Sequence, residues 1–246
     1  MKICSLRAPT GASLPLCKIR CRTFCQPVAC LNSAVAASSV DVGPLAVSGL
    51  HLWRGEQHLL RGVCFELHTG ELLQVNGPNG VGKTSLLRCV AGLLPMESGE
   101  VRWQGSNTLD HRDAYARDML YLGHSNALKQ DLTAAENLAA SAGLIRSVTQ
   151  TDIFAALEQV AIGRCADLPL RALSAGQKRR VALARLLLLN ASFWILDEPI
   201  TNLDAQGIAL IEQVMRTHLD QGGLILVAAH QPLLAGHSGA RTLELQ

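Results

Sequence analysis

The sequence predicts an α/β fold, in which short apolar strands alternate with segments of helical periodicity. Three observations carry that expectation. An apolar run at 71–76 leads into a glycine-rich loop and then into a helical segment. A second apolar run, at 193–196, ends on two adjacent carboxylates, Asp197 and Glu198. Between them, residues 131–165 repeat apolar side chains at three- and four-residue steps, with no alternation of strand type.

Composition sets the outer limits. Apolar residues make up 48% of the 246, and charged residues only 17%, so the chain can build a substantial core and is not disordered throughout. Aromatics at 4% argue against a stacking platform for single-stranded nucleic acid, and a net charge of +2 supplies no large basic field for DNA or RNA. The most apolar stretch, 186–196, is interrupted by Asn190 and Ser192 and falls short of the roughly 20 residues that span a bilayer. Any membrane role is therefore expected to run through a partner.

The first 44 residues differ from the rest. Lys2, Arg7, Lys18, Arg20 and Arg22 occur there without any acid before residue 40, and Cys4, Cys17, Cys21, Cys25 and Cys30 crowd into the same stretch. Such a segment is transit-like, or precedes the true start of the domain, and is expected to be disordered. The spacing of its cysteines is not a usual zinc pattern. Only Cys64, Cys89 and Cys165 follow, in apolar contexts, which suggests a reducing compartment.

The globular pattern starts at residue 45. Residues 45–53 and 58–68 alternate loosely, as antiparallel strands do, with Gly55 and Glu56 for the turn. Residues 71–76 read as a buried strand, 84–94 as a helix stopped by Pro95, 98–103 as a hairpin strand and 119–122 as a further strand. The helical stretch is marked by Leu132, Ala135, Leu138, Ala139 and Leu144, then by Ile153, Ala156, Leu157 and Val160. A long helix over 175–189, a buried strand at 193–196, a helix over 205–219, a strand at 224–228 and an edge strand at 242–245 complete the order.

Chemistry enters with Gly77, Pro78, Asn79, Gly80, Val81, Gly82, Lys83 and Thr84, which match G-x-x-x-x-G-K-[ST] between a strand and a helix. Glycines let backbone N–H groups turn toward a polyphosphate, and the helix start adds its dipole. Lys83 is placed for the β- and γ-phosphates of ATP, and the Thr84 hydroxyl for Mg²⁺. Asp197 is placed to hold the metal directly or through water, and Glu198 to polarise the attacking water. Two carboxylates at a buried strand end are costly without a metal to hold or a proton to take. Twenty residues before Asp197, Leu173-Ser-Ala-Gly-Gln177 opens the long helix, with Ser174 as a natural N-cap and Gly176 allowing an anion to approach backbone.

In this order and spacing, residues 45–246 resemble the nucleotide-binding subunit of ATP-binding-cassette (ABC) transporters. The resemblance implies a P-loop NTPase of ABC type, with a RecA-like core sheet, an antiparallel β subdomain and a helical subdomain over about 125–190. It makes Ser174, Gly176 and Gln177 part of the cassette signature, with Ala175 where a second glycine is usual. It makes Asp204 a residue facing a partner subunit, and His230 the histidine that senses the γ-phosphate. Trp53 or Arg54 stands where an aromatic stacks on adenine. At the place of the family's Q-loop glutamine the chain has Gly123 and His124, so His124 is the first candidate for that role and Gln130 the second.

That departure, with Leu132-Thr-Ala-Ala-Glu-Asn-Leu138 and the run from Leu173 to Arg185, is similar to the ATPases of cytochrome c maturation systems, described as haem exporters. The resemblance implies two ATPase chains head to tail, each ATP lying between Lys83 of one and Ser174 of the other, with integral-membrane subunits as partners and no nucleic acid. It implies a peripheral place on the cytoplasmic face of a bacterial inner membrane, or at the mitochondrial inner membrane if 1–44 is a transit peptide. The chain itself shows no paired histidines on an apolar face and no Cys-x-x-Cys-His, so haem would be handled by partners. Two rival readings stay open: an ABC ATPase for another exported cargo, and a soluble non-transport cassette ATPase. A small-molecule kinase would have no use for Leu173–Gln177.

Overall fold

The computed structural model describes residues 44–143 and 145–246. The expectations for residues 1–43, including the cysteine-rich basic stretch, lie outside the described residues, as does Leu144.

The chain opens with an antiparallel pair, β1 (Leu45–Arg54) and β2 (Gln57–Leu67), joined across Gly55 and Glu56 as expected. Next come β3 (Leu72–Asn76), α1 (Lys83–Val90), β4 (Ser98–Trp103), β5 (Ser106–Asn107), α2 (Arg112–Asp118) and β6 (Met119–Leu122). The helices α3 (Ala134–Gly143), α4 (Gln150–Gln159) and α5 (Ala175–Leu189) follow. The chain ends with β7 (Phe193–Asp197), α6 (Ala205–Asp220), β8 (Leu224–Ala228) and β9 (Ala240–Glu244). Two sheets result. One is antiparallel, in the order β2-β1-β4-β5, and the other is parallel, in the order β6-β7-β8-β3-β9. The architecture is the expected α/β one, with a parallel core sheet, an antiparallel sheet and a helical layer.

The parallel sheet is covered on both faces, which is why its strands read as continuous apolar runs rather than alternating ones. Trp194, Leu196, Ile225 and Val227 point into a core shared with α3–α6. Phe193, Ile195, Leu224 and Leu226 point into the other, shared with α1 and the antiparallel sheet. Phe193 is fully buried and stacks on Trp103, with ring centroids 5.5 Å apart. The helical layer is set by capping boxes. Thr133 and Glu136 exchange bonds at the start of α3, Thr149 and Asp152 at α4, and Ser174 and Gln177 at α5. Buried Asn137 then ties the approach to α3 by bonding the carbonyls of Lys129, Leu132 and Thr133 and accepting from the Lys129 amide.

Three expectations need correction. The helix after the glycine loop ends at Val90, not at Leu94. Gly92 adopts φ +70, its N–H reaches Cys89 O and that of Leu93 reaches Arg88 O, which closes a Schellman motif before Pro95 can act. The helix α2 has no counterpart in the sequence reading, because Tyr115 is its only buried residue and one anchor creates no periodicity. Cys64 is exposed and bonded to the Gly49 amide rather than packed in an apolar setting; Cys89 is buried and Cys165 partly so.

On α6, the His218 ring stacks on Trp194 with centroids 3.6 Å apart, and burial pushes its pKa from 6.5 down to about 4. Below pH 6.5 the unfolded chain therefore accepts a proton that the folded chain refuses. Stability should fall as pH drops from about 6.5 toward about 4. In His218→Phe, which keeps the stack and removes the titration, urea midpoints should fall less steeply across that window. Identical slopes for the two proteins would contradict the assignment.

Candidate functional site

The glycine loop runs between the C-terminal end of β3 and the start of α1. Its shape requires glycine at two points. Gly77 has φ +142, and a Cβ there would meet Leu245 O at 2.8 Å. Gly82 has φ +112, and a Cβ there would meet Leu59 and Leu60 side chains at 3.0 Å. Gly82 is also the N-cap of α1 and brings no side-chain cap, so the first amides of α1 are left for a ligand. Lys83 is buried, and its Nζ donates to Gly77 O (2.7 Å) and Pro78 O (3.2 Å). The ammonium thus sits inside the arch of its own loop, held by weak neutral acceptors that a phosphate can replace.

The end of β7 lies directly against this loop. Thr84 Oγ1 donates to Asp197 Oδ1 at 3.1 Å across 113 residues of sequence. Asp197 is 1% exposed, and its Oδ2 is buried with no hydrogen-bond partner among the described residues. An ionised oxygen left in that state is expensive, and a carboxylate beside a hydroxyl is an oxygen donor set for a hard cation. The residues present therefore fit a divalent metal.

Glu198 follows with φ +52, an uncommon backbone conformation for a residue with a side chain. Its N–H donates to Ala228 O, and its Oε1 lies 3.2 Å from His230 Nε2. His230 is carried by the segment after β8, which buried Gln74 of β3 holds in place. Gln74 Nε2 donates to the carbonyls of Ala229 and Gln231, and its Oε1 accepts from the Leu233 amide. Sequence reasoning missed Gln74; the available signal was a polar residue in the middle of a buried strand.

Sequence reasoning also passed over Arg179. It stands between Lys178 and Arg180, and nothing in that row of cations marks it out. Arg179 is 2% exposed, and its guanidinium donates to Asp197 O, Glu198 O, Pro199 O, Gly123 O and Asn126 Oδ1. Arg180, by contrast, bonds Asp204 at 2.8 Å.

The cassette-like segment lies elsewhere. Ser174, Gly176 and Gln177 line a cleft of about 660 Å³ with Cys165, Arg180 and Asp204, and no residue of the glycine loop lines it. The Gln177 side chain is engaged in the capping box with Ser174. A Cβ on Gly176 would meet Asn202 O at 2.7 Å, so α5 and the loop after β7 can touch only because this residue has no side chain. Asp204 caps α6, and the Gly207 amide together with Arg180 holds its carboxyl below the ordinary range. Pro78, Asn79, Gly80 and Val81 complete the loop around Lys83, with Gly80 at φ +84.

His124 is exposed and bonds neither Asp197 nor Glu198 among the described residues; the loop it stands on is held instead through Gly123 and Asn126. Gln130 is exposed too, and its carbonyl accepts from Arg171 N. Of Trp53 and Arg54, Trp53 presents a planar face. It stacks on His58 at 4.3 Å, and His58 is in turn hydrogen bonded to His51 at 3.0 Å.

The profile of the ABC transporter family matches residues 60–201, which take in the glycine loop, the cassette-like segment and both carboxylates. The chain is 43% identical over 202 residues to the cytochrome c biogenesis ATP-binding export protein CcmA of Vibrio cholerae, covering 82% of this chain and 98% of that one. It is 47% identical over 191 residues to the protein of the same name from Methylococcus capsulatus, covering 77% and 92%. It is 42% identical over 204 residues to that of Escherichia coli O157:H7, covering 83% and 97%. Among solved structures, an ABC transporter ATP-binding protein from Pyrococcus furiosus superposes with a TM-score of 0.71 at 24% identity, over 81% of this chain and 96% of that one. An ATP-binding cassette solved as a dimer with ADP and phosphate gives 0.72 at 23% identity, over 82% and 96%. With a glycine loop, a buried strand-end carboxylate pair and a capped cassette helix in one fold, and with this likeness along nearly the whole length of its relatives, the chain belongs to the ABC transporter family and, within it, to the cytochrome c biogenesis ATP-binding export proteins.

Proposed function

We propose that this chain hydrolyses ATP and that the work drives the export step of cytochrome c biogenesis, with haem as the cargo of its membrane partners. The observation that carries the ATPase reading is the meeting of Thr84, Asp197 and Glu198 beneath the glycine loop. The haem-export reading is supported by 42–47% identity to the named export proteins. Among the described residues no helix is long and apolar enough to cross a membrane. The proposed placement is peripheral, on the cytoplasmic face of the inner membrane, through integral-membrane subunits. The proposed working unit is 45–246, with 1–44 as an appended segment.

Each residue has a proposed task. Amides of 79–84 and Lys83 receive the β- and γ-phosphates, with Lys83 giving up its two carbonyl acceptors for charged oxygens, a stronger pairing. Trp53, backed by His58, offers its free face to the adenine. Thr84 and Asp197 would hold Mg²⁺, which when bound offsets phosphate charge. Glu198 accepts the proton of the attacking water, and His230, bonded to Glu198, presents the imidazole to the γ-phosphate. Ser174, Gly176 and the start of α5 form a half-site that closes on the ATP of a second copy. Closure with ATP and opening after hydrolysis transmit the work. His124 is the proposed contact between this cycle and the membrane subunits, its exposed ring reaching the site only when the loop after β6 moves.

Lys83→Ala should weaken MgATP binding by about ten- to a hundredfold, the value of losing charged hydrogen bonds of about 1.5–3 kcal/mol. Nucleotide titration checks this, and unchanged affinity would mean that the phosphate site lies elsewhere. Glu198→Gln should keep nucleotide affinity and slow turnover about a hundred- to ten-thousandfold, since an amide is nearly isosteric but accepts no proton. With MgATP the variant should run as a stable dimer on size exclusion, alone or with membrane subunits, where the parent protein dimerises only transiently. Parental hydrolysis rates would remove Glu198 from its role.

A further inference from the structure

We infer that Arg179 is a positioning residue for the hydrolytic step, acting by holding the backbone of Glu198 in the conformation that aims its carboxylate. The inference rests on the reading of Glu198 as the group that takes the proton from water. Its physical ground is the pattern of donors. All five N–H groups of a guanidinium are used here, one on Nε and two on each Nη. Nε donates to Pro199 O at 2.9 Å, Nη2 to Asp197 O at 3.1 Å and Glu198 O at 2.7 Å, and Nη1 to Gly123 O at 3.0 Å and Asn126 Oδ1 at 2.9 Å. Three of the five acceptors are the consecutive carbonyls of residues 197–199.

Those three carbonyls bracket the one point at this strand end where the backbone is unfavourable. Glu198 has φ +52 and is neither Gly nor Asn. A side-chain-bearing residue keeps such a conformation only where its surroundings over-determine it. On the amide side the restraint is the single bond from Glu198 N to Ala228 O. On the carbonyl side it is Arg179 at 2.7 Å, with a longer bond of 3.3 Å from the Thr201 amide. The left-handed turn sends the Glu198 side chain back toward His230 instead of onward along β7, and so sets the 3.2 Å approach between them.

A cation used only to fasten a helix to a sheet would not need this environment. Arg179 is 2% exposed and, among the described residues, is hydrogen bonded only to neutral acceptors. Burial pushes its pKa down to about 10, against the opposing pull of Asp197 and Glu198, so it stays charged at neutral pH. Placed behind the two carboxylates, it supplies both their backbone restraint and a counter-charge. The remaining two N–H groups, donated from Nη1 to Gly123 O and Asn126 Oδ1, tie the loop carrying His124 to the same guanidinium.

The test is a double-mutant cycle on the full chain, reading single-turnover hydrolysis of MgATP and the Kd of a non-hydrolysable ATP analogue. A misplacement of about 1 Å at a reacting group can lower a rate about 100-fold. Arg179→Met should accordingly slow hydrolysis about ten- to a hundredfold, with Kd changed by less than about threefold. In the Glu198→Gln background the same substitution should slow the residual hydrolysis by less than about twofold, because the group it positions is already gone. An equal loss in both backgrounds, or a Kd weakened as much as the rate, would overturn the inference. If Arg179→Met does not fold, Arg179→Lys carries the same cycle with a smaller loss, since it retains the charge and reaches fewer of the carbonyls. Parental hydrolysis by Glu198→Gln alone would instead defeat the Glu198 reading, and this inference with it.

Discussion

The site depends on a carboxylate taken out of water. Asp197 is 1% exposed, with one oxygen on Thr84 and the other without a partner among the described residues. Burial of an ionised group costs several kcal/mol unless charge and hydrogen bonds compensate. The fold supplies compensation from two sides. Arg179 lies behind the strand end with its charge toward Asp197 and Glu198. In front, Thr84 gives one hydrogen bond, and Mg²⁺ bound with the nucleotide is proposed to meet the other carboxylate oxygen. On that proposal the carboxylate takes its remaining compensation from the metal, and nucleotide and metal bind together.

The rest of the architecture delivers the neighbours of Asp197 to that point. Parallel pairing of β3, β7 and β8 puts their C-terminal ends on one edge, so the glycine loop after β3, the carboxylates of β7 and the segment after β8 that bears His230 converge. Gln74 pins the last of these from inside the sheet. Helix α5 runs from the Ser174 capping box at one end past Arg179 behind the carboxylates. A single helix therefore joins the surface proposed to meet a second ATPase chain to the residues proposed to act on ATP in this one.

Much of this was legible in the sequence, and the reasons are specific. The glycine loop could be read because Gly77 and Gly82 satisfy steric demands that no other residue meets. The strands of the parallel sheet could be read because burial on both faces leaves unbroken apolar runs, and Ser174 because capping chemistry is local. Features that rest on long-range packing were not legible. Arg179 is indistinguishable from Lys178 and Arg180 until the loop after β6 and the end of β7 are brought around it. The early end of α1 at Gly92 needs a backbone conformation, not a breaker residue, and Pro95 drew attention past it. The loop carrying His124 is held where Gly123 and Asn126 accept from Arg179 on α5, 53 or more residues away, beyond the reach of local pattern.

The claim at the centre of the account is that Asp197 Oδ2 is held ready for Mg²⁺. Titrating ATP into the protein by calorimetry, with Mg²⁺ and with chelator, tests it directly when the parent chain is compared with Asp197→Asn. The amide keeps the shape and can still accept from Thr84, but it lacks the charge that draws the metal. The account predicts that Mg²⁺ tightens ATP binding to the parent chain and has little effect on Asp197→Asn, while the two bind metal-free ATP with similar affinity. The same Mg²⁺-dependent gain in both proteins would contradict it.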